Sequence, residues 1–333
     1  MLQWDDDLKV NGLELYLDCK RPRRLSFVSH AHSDHLALHG RSIATAQTAA
    51  FARHRIALPN VTCLALRQPM RLPELENVEL ELRPAGHVLG SAMLHVRTHE
   101  GSLLYTGDFK LRPSLTCETA DLIEADTLIM ESTYGRPIFR FPHWRDIADQ
   151  LVDHCAGAIR AGRQPIVMGY SLGKAQEITR ILTDAGLAVT QHGACFEMTR
   201  IYHECGQLVG AVRRYSPDDF HGPRALDLSE RGVLVAPPNV ARSAFVTKFD
   251  NPLRIACTGW ALLPGAIYRQ GVDIALPLSD HADFDELIEL IDRVRPKKTF
   301  THHGYPEFAE YLRSRGLNAQ LARPDPQLSL FND

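Results

Sequence analysis

The segment from Ser29 to His35 reads Ser-His-Ala-His-Ser-Asp-His, so three histidines and one aspartate fall within six residues. Imidazole nitrogen and carboxylate oxygen are the ligands that a borderline ion such as Zn²⁺ prefers. The alternation lets His30 and His32 point one way and Asp34 and His35 another, so one loop can serve two adjacent metal ions. Because this pattern arises by chance in about one unrelated chain in 10⁴, it favours a metal site over a merely solvated histidine-rich turn.

Polar residues also follow other short apolar runs in the first third of the chain. Val78–Arg83 leads to His87, and Ser102–Thr106 leads to Asp108. Each run is typical of a strand followed by a loop, and an α/β scaffold presents its ligands at such strand ends. Beyond residue 138 strands and helices alternate, which predicts a doubly wound sheet. The predicted helices are 144–161, 171–185, 283–295 with Asp283 as N-cap, and one from Pro306 that ends before Gly316.

The composition is that of an ordinary globular protein, with 44% hydrophobic and 23% charged residues. A net charge of −3 excludes a global basic field but leaves room for a local basic groove. The seven cysteines include no C-x-x-C pair, which argues against a disulfide framework and fits a reducing compartment. No signal-peptide pattern and no apolar run of roughly 18 residues is present, so we expect a cytoplasmic protein with no membrane partner.

The order of these motifs resembles that of the metallo-β-lactamase superfamily: Asp18, then H-x-H-x-D-H, then His87 and Asp108. Two later features, Glu131-Ser-Thr-Tyr-Gly and the pair Ser-Asp-His281-Ala-Asp with His303-Gly, are similar to the extra motifs of the β-CASP branch, which consists of nucleases. The resemblance implies an α/β fold, a metallo-β-lactamase αββα sandwich with an inserted β-CASP α/β cap domain. The implied segments are 1–137 and 266–323 for the sandwich, 138–265 for the cap, and 324–333 for an extended tail.

The resemblance also implies a site for two divalent ions, Zn²⁺ or Mn²⁺. The residues implied to bind the first ion are His30, His32 and His87. Those implied for the second are Asp34, His35 and His303, with Asp108 bridging the two. His302 stands beside His303, and the His-Gly step favours His303 as the ligand. Asp18 would hold a ligand histidine in its tautomer. Two such cations would bind a phosphate and activate a water for in-line displacement, with Asp34 among the catalytic residues.

His281 and Lys174 have roles that the sequence leaves open. His281 at a helix start suits a general acid that Glu131 orients, although an exposed helix-start residue is the alternative. Lys174 lies in Gly-Tyr-Ser-Leu-Gly-Lys, which is one residue short of a P-loop, so ATP binding there is not expected. At a helix N-terminus Lys174 could contact a nucleic-acid phosphate, or it could be an ordinary solvated lysine.

The tail holds apolar residues after two prolines, an arrangement that needs an explanation. One explanation is that the tail docks onto the chain's own core. The other is partner recognition, because the tail resembles the pentapeptide by which bacterial DNA-processing proteins bind the sliding clamp. The residues implied to contact a clamp are Gln327, Leu328, Leu330 and Phe331.

The sequence as a whole most resembles the bacterial ligase-associated DNA exonucleases of the Artemis-like group. This resemblance implies a metal-dependent exonuclease that hydrolyses DNA phosphodiester bonds in repair, with a DNA ligase and a helicase as partners. An RNA-processing nuclease of RNase J or 3′-end-processing type shares every metal motif and remains an alternative. A small-molecule hydrolase on the same scaffold and a nucleic-acid-binding scaffold with a dead site are further alternatives, which the β-CASP-like motifs and the complete ligand set disfavour.

Overall fold

The computed structural model describes residues 2–4, 7–223 and 225–322. The chain divides into two compact units, the first formed by Met1–Phe139 and His281–Asp333 and the second by Arg140–Asp280. The tail motif predicted to bind a clamp lies outside the described residues. No helix in the described ranges combines the length and the apolar character needed to cross a bilayer.

Strands and helices are numbered along the whole chain. The strands are β1 Leu2–Trp4, β2 Leu8–Val10, β3 Tyr16–Leu17, β4 Leu25–Phe27, β5 Arg41–Ala44, β6 Val61–Cys63, β7 Glu79–Pro84, β8 Ala92–Thr98, β9 Gly101–Tyr105, β10 Thr127–Ser132, β11 Pro165–Met168, β12 Val189–Gln191, β13 Arg213–Arg214, β14 Val233–Ala236, β15 Leu253–Cys257, β16 Ile274–Leu276, β17 Lys298–Gly304 and β18 Ala319–Leu321. The helices are α1 Ala46–Ile56, α2 Trp144–Arg160, α3 Lys174–Asp184, α4 Gly193–Glu204, α5 Pro217–Phe220, α6 Leu228–Arg231, α7 Ala266–Gln270, α8 Phe284–Val294 and α9 Pro306–Ser314.

The first unit contains two sheets, with strand orders β1-β2-β3-β4-β5-β6 and β18-β17-β10-β9-β8-β7. Strands β3 to β6 run parallel in the first sheet. In the second sheet β7, β8 and β9 form an antiparallel meander, and β9, β10, β17 and β18 run parallel. The parallel strands of each sheet therefore end at a common edge, where loops can bring polar side chains together.

Both faces of the second sheet are covered, because successive side chains along its strands belong to two different hydrophobic cores. Leu94 and Leu103 pack with Phe27 of the first sheet in one hydrophobic core. Their sequence neighbours Met93 and Leu104 belong to a second core, which includes apolar residues of α8 and α9. Successive side chains of a strand point to opposite faces, so one face packs against the other sheet and one against helices. This layering agrees with the predicted fold class.

Helix α8 begins where the sequence predicts. Asp283 Oδ1 accepts a hydrogen bond from the Glu286 backbone N–H at 2.9 Å, and Glu286 Oε2 accepts one from the Asp283 N–H at 3.0 Å. This reciprocal capping box satisfies two amide groups that lack partners within the helix. The helix ends at Val294, and Arg295 follows in the left-handed conformation with φ 52°.

The second unit contains an all-parallel sheet with strand order β13-β12-β14-β11-β15-β16, as the alternating strand–helix pattern predicts. Helix α3 begins at Lys174 rather than Ser171, because Gly173 adopts φ 90° and donates its N–H to the Gln176 side chain. Strand β16 pairs with β15, so this sheet continues to Leu276. The compact unit consequently extends to residue 280, whereas the sequence placed the return to the sandwich at residue 266.

Candidate metal centre

The polar motifs of the first unit lie at the carboxyl ends of its strands. The histidine segment follows β4 and includes a 3₁₀ turn at Ser33–His35. His87 follows β7, Asp108 follows β9, and Glu131 and His303 lie in the last residues of β10 and β17. Because β9, β10 and β17 are parallel neighbours, Asp108, Glu131 and His303 lie at the same edge of the sheet.

Three histidines form the first group of donor atoms. His32 Nδ1 lies 3.0 Å from His30 Nε2 and 3.1 Å from His87 Nε2. Asp108 Oδ2 lies 3.5 Å from His30 Nε2 and 3.8 Å from His87 Nε2. Tetrahedral zinc with Zn–N bonds of about 2.0–2.1 Å separates its ligand atoms by roughly 3.3 Å. The donor atoms therefore have the chemistry and the spacing that one such ion requires.

A second group of donor atoms shares Asp108 with the first. His35 Nε2 lies 3.5 Å from both Asp108 Oδ2 and Asp34 Oδ2, and His303 Nδ1 lies 4.0 Å from Asp108 Oδ1. The side chains of His35 and Asp108 are buried, whereas those of Asp34 and His303 are 41% and 36% exposed. The second group is thus open on one side, as a catalytic metal position must be.

The electrostatics of both groups suit cations. Burial, followed by the neighbouring His35, holds the pKa of His30 well below its usual value, which leaves a neutral imidazole able to donate a lone pair. Burial alone would lower the pKa of His35, but the carboxylates of Asp108, Asp18 and Asp34 together raise it well above its usual value. Burial likewise opposes ionisation of Asp108, yet its histidine neighbours hold its pKa well below the ordinary range. The negative potential that favours a proton on His35 also favours a divalent cation.

Asp18 lies beside the histidine segment and contacts His35 and Ser29. Asp18 Oδ2 is 2.9 Å from His35 Nδ1 and accepts hydrogen bonds from the Ser29 hydroxyl at 2.5 Å and the Tyr105 hydroxyl at 2.8 Å. Its Oδ1 accepts the Ser29 backbone N–H at 2.7 Å, and the Ser29 hydroxyl is also 3.0 Å from His30 Nδ1. Asp18 adopts the left-handed conformation, φ 46°, which is uncommon for an aspartate and indicates a position fixed by its surroundings.

We expect Asp18→Asn to weaken metal binding by about 10- to 100-fold, because carboxylates that orient ligand histidines contribute roughly this much affinity. An amide cannot accept all the hydrogen bonds that Asp18 receives. Metal competition titration would measure the change. Asp126→Asn is the matched control, since Asp126 also accepts the N–H and hydroxyl of a serine, Ser102, but at the start of β9. Equal affinities in the two variants would contradict the role of Asp18.

His281 and Glu131 form a pair beside the first group. His281 Nδ1 lies 2.9 Å from Glu131 Oε1 and 3.1 Å from Glu131 Oε2, and the His281 ring centroid is 4.7 Å from that of His87. Glu131 is buried and also accepts the Phe109 N–H at 2.9 Å and the Thr133 hydroxyl at 2.5 Å. The Glu131 carboxylate therefore contacts the imidazole of His281 through Nδ1.

The structure distinguishes between the two adjacent histidines of β17. His302 is buried and stacks on Tyr105, with ring centroids 5.5 Å apart and planes 20° apart. His303 has φ 49° and directs Nδ1 towards Asp108. A Cβ on the next residue, Gly304, would lie 1.9 Å from the Ser132 carbonyl oxygen, so only glycine fits there. The close approach of β10 explains why the His-Gly step marks His303.

The prediction for Lys174 is wrong in both of its forms. Lys174 is only 1% exposed, and its Nζ lies 3.3 Å from Glu177 Oε2 and 3.7 Å from Asp280 Oδ1. Its aliphatic stem packs over Gly169, where an added Cβ would lie 2.7 Å from Lys174 Cγ. An ammonium group buried between two carboxylates is neither solvated nor free to contact a phosphate.

Sequence reasoning assigned no role to several residues that hold the site together. Tyr105 and Ser29 bind Asp18, and Thr133 bridges Glu131 and the His303 carbonyl oxygen. Ser29, Tyr105 and Thr133 lie in the sequence segments that contain or precede the candidate site residues. Their closeness to those residues in the sequence is the feature by which they could have been predicted. Arg112 donates to the His281 carbonyl oxygen at 2.8 Å, and no motif marks it.

Comparisons with known proteins identify a matching family model and several relatives. A family model described as "Zn-dependent metallo-hydrolase RNA specificity domain" matches residues 274–321. The chain is 38% identical, over 99% of its length, to a "Probable DNA ligase" of Opitutus terrae, of which it covers 32%. It is 34% identical over 74% of its length to an "RNase J-like protein" of Methanocaldococcus jannaschii, covering 68% of that protein. A "Transcription termination factor FttA" of Methanothermobacter thermautotrophicus is 35% identical over 32% of the chain, which covers 18% of the factor.

The fold, the strand-end donor groups and these similarities together define the class of protein. The chain belongs to the β-CASP metallo-β-lactamase family of nucleases, which confirms the predicted family and the predicted fold class. The matched family model is described as a Zn-dependent metallo-hydrolase domain, and some of the relatives are named as RNases.

Proposed function

We propose that this protein is a DNA exonuclease that acts in DNA repair, of the ligase-associated, Artemis-like kind. The observation that carries the proposal is the pair of donor groups that share Asp108, beside the His281–Glu131 pair. The choice of DNA is supported by similarity over 99% of the chain to a protein named as a DNA ligase. The chain spans 32% of that protein's length, so an association with ligase activity is part of the proposal.

The proposed centre holds two divalent ions, Zn²⁺ or Mn²⁺. The residues assigned to them are His30, His32 and His87 for the first ion, Asp34, His35 and His303 for the second, and Asp108 for both. When bound, such ions polarise a phosphate and lower the pKa of an attacking water. The partly exposed Asp34 faces the substrate side and orients that water. Asp18 fixes the orientation of His35, and the second position's open side admits the phosphodiester.

His281 is proposed as the group that protonates the leaving oxygen. Glu131 holds the Nδ1–H of its imidazole, so the transferable proton resides on Nε2. Glu131 itself accepts the Phe109 N–H and the Thr133 hydroxyl, so its carboxylate stays fixed while the histidine changes charge.

An RNA-processing nuclease is the second candidate, and two similarities favour it. The matched family model is described by RNA specificity, and one relative is named as RNase J-like. The discriminating experiment offers the purified protein end-labelled single-stranded DNA and RNA of one sequence, with Mn²⁺ or Zn²⁺. We expect a ladder of DNA products that shortens from one end. Cleavage of RNA alone would overturn the DNA assignment, and cleavage of neither would return the small-molecule alternative.

The proposed partners are a sliding clamp, a DNA ligase and a helicase. The clamp is proposed from the tail sequence Gln327-Leu-Ser-Leu-Phe331, which fits an apolar cleft with a hydrogen-bonded glutamine at one side. Truncation after Arg323 is expected to abolish binding to a bacterial sliding clamp and to leave turnover of short oligonucleotides unchanged. Binding of the full-length and truncated proteins to surface-immobilised clamp would measure the change in clamp affinity. Unchanged clamp affinity would remove the tail from the proposal.

A further inference from the structure

The loop that follows β9 contacts each part of the proposed proton-transfer pair. This loop includes Asp108, and the next residue, Phe109, donates its N–H to Glu131 Oε1 at 2.9 Å. The Phe109 carbonyl oxygen accepts the N–H of Ala282 at 2.6 Å. Four residues after Asp108, the Arg112 guanidinium donates to the His281 carbonyl oxygen at 2.8 Å. One short loop therefore carries a candidate ligand and contacts both the orienting carboxylate and the two polar groups of the peptide bond that joins His281 to Ala282.

Arg112 is in turn anchored to the start of α8. Glu286 accepts hydrogen bonds from the Arg112 backbone N–H with Oε1 and from the Arg112 guanidinium with Oε2. The same Glu286 completes the capping box with Asp283, two residues after His281. The side chains of Arg112 and Glu286 are only 17% and 12% exposed. Water competes little for these bonds, so the geometry around the His281 carbonyl is well defined.

We infer that Arg112 is a positioning residue for His281, which it holds by the backbone while Glu131 holds it by the imidazole. This inference rests on the proposed function, because it takes His281 to be the proton donor. Arg112 contacts a carbonyl and a carboxylate at once, which the planar five-donor guanidinium can do and a lysine ammonium on a flexible stem cannot do in the same geometry. Displacement of a reacting group by about 1 Å can cost roughly 10²-fold in rate.

The test compares Arg112→Lys with the unchanged protein in cleavage of a labelled oligonucleotide with added Mn²⁺. We expect kcat to fall by about 10- to 100-fold, with KM and the number of bound metal ions unchanged. Arg83→Lys is the matched control, because Arg83 is also 17% exposed and binds two carboxylates, those of Glu81 and Asp121. Its kcat should stay at the level of the unchanged protein. If Arg112→Lys instead raises KM or lowers the number of bound metal ions while kcat stays unchanged, the inference is overturned.

A double-mutant cycle separates positioning from a general structural effect. If Arg112 acts through His281, then adding Arg112→Lys to His281→Ala causes no further fall in kcat. An equal fall in kcat in both backgrounds would overturn the inference.

A second variant is available if Arg112→Lys sharply lowers the unfolding temperature. Glu286→Gln removes the charge that anchors Arg112 with little change of shape, and its effect on kcat is expected to show the same dependence on His281. If His281→Ala alone leaves kcat unchanged, the proposed proton donor is wrong; if His281→Ala slows cleavage and Arg112→Lys does not, only the positioning inference is wrong.

Discussion

Replacement of Asp108 by alanine is expected to abolish cleavage. Asp108 places one oxygen within 3.8 Å of nitrogen atoms from three different histidines, so both proposed ions depend on its carboxylate. Metal ions contribute several kcal/mol of transition-state stabilisation, and each 1.36 kcal/mol is tenfold in rate. We therefore expect kcat to fall by at least about 10³-fold, with fewer metal ions bound per chain.

The control for this variant is Asp292→Ala, which removes an exposed carboxylate from α8 in the same unit. Cleavage of a labelled oligonucleotide and metal content by elemental analysis would be measured for both proteins. Asp292→Ala should retain full metal content and activity. Normal metal content and cleavage in Asp108→Ala would contradict the shared-carboxylate arrangement and with it the proposed centre.

Replacement of His281 by alanine is expected to slow cleavage by roughly 10²- to 10⁴-fold and to leave the metal content intact. This range is typical of the loss of a general acid. The variant separates proton donation from metal binding, because His281 lies beside the His87 imidazole, with ring centroids 4.7 Å apart, but is not among the residues assigned to the ions. A leaving group of low pKa needs no protonation, so a nitrophenyl phosphodiester should be affected much less than an oligonucleotide.

His54→Ala serves as the control for His281→Ala, since His54 is an exposed histidine of α1 in the same unit. It should match the unchanged protein in both assays. Loss of metal in His281→Ala would show that this histidine is a ligand. An equal effect on the oligonucleotide and the activated substrate would also contradict the role of general acid.

The parts of the site that can be predicted from the sequence are those whose residues lie within one loop or at the end of one strand. His30, His32 and His35 lie in a single segment, and the fold keeps them together because a short 3₁₀ turn closes that segment. The N-cap at Asp283 is equally local, and the structure shows it as predicted, with Glu286 completing a capping box. Local spacing constrains such features directly, whatever the rest of the chain does.

Features that depend on contacts between residues far apart in the chain could not be predicted from local sequence patterns. Lys174 was interpreted by its place at a helix N-terminus, but burial against Asp280, 106 positions along the chain, decides its environment. His303 has a left-handed backbone, and β10 approaches the next residue, Gly304, too closely for any Cβ. The end of the second unit depends on the pairing of β16 with β15, which no local pattern records.

Metal titration of the stripped protein tests the central claim most directly. The protein is freed of metal with a chelator and titrated with Zn²⁺ or Mn²⁺, while bound ions and cleavage of labelled single-stranded DNA are followed in the same samples. Asp34→Ala is titrated in parallel. The proposed centre predicts no cleavage without metal, activity that saturates at about two ions per chain, and no activity at any metal level in Asp34→Ala. Undiminished cleavage by the stripped protein, or full activity of Asp34→Ala, would contradict it.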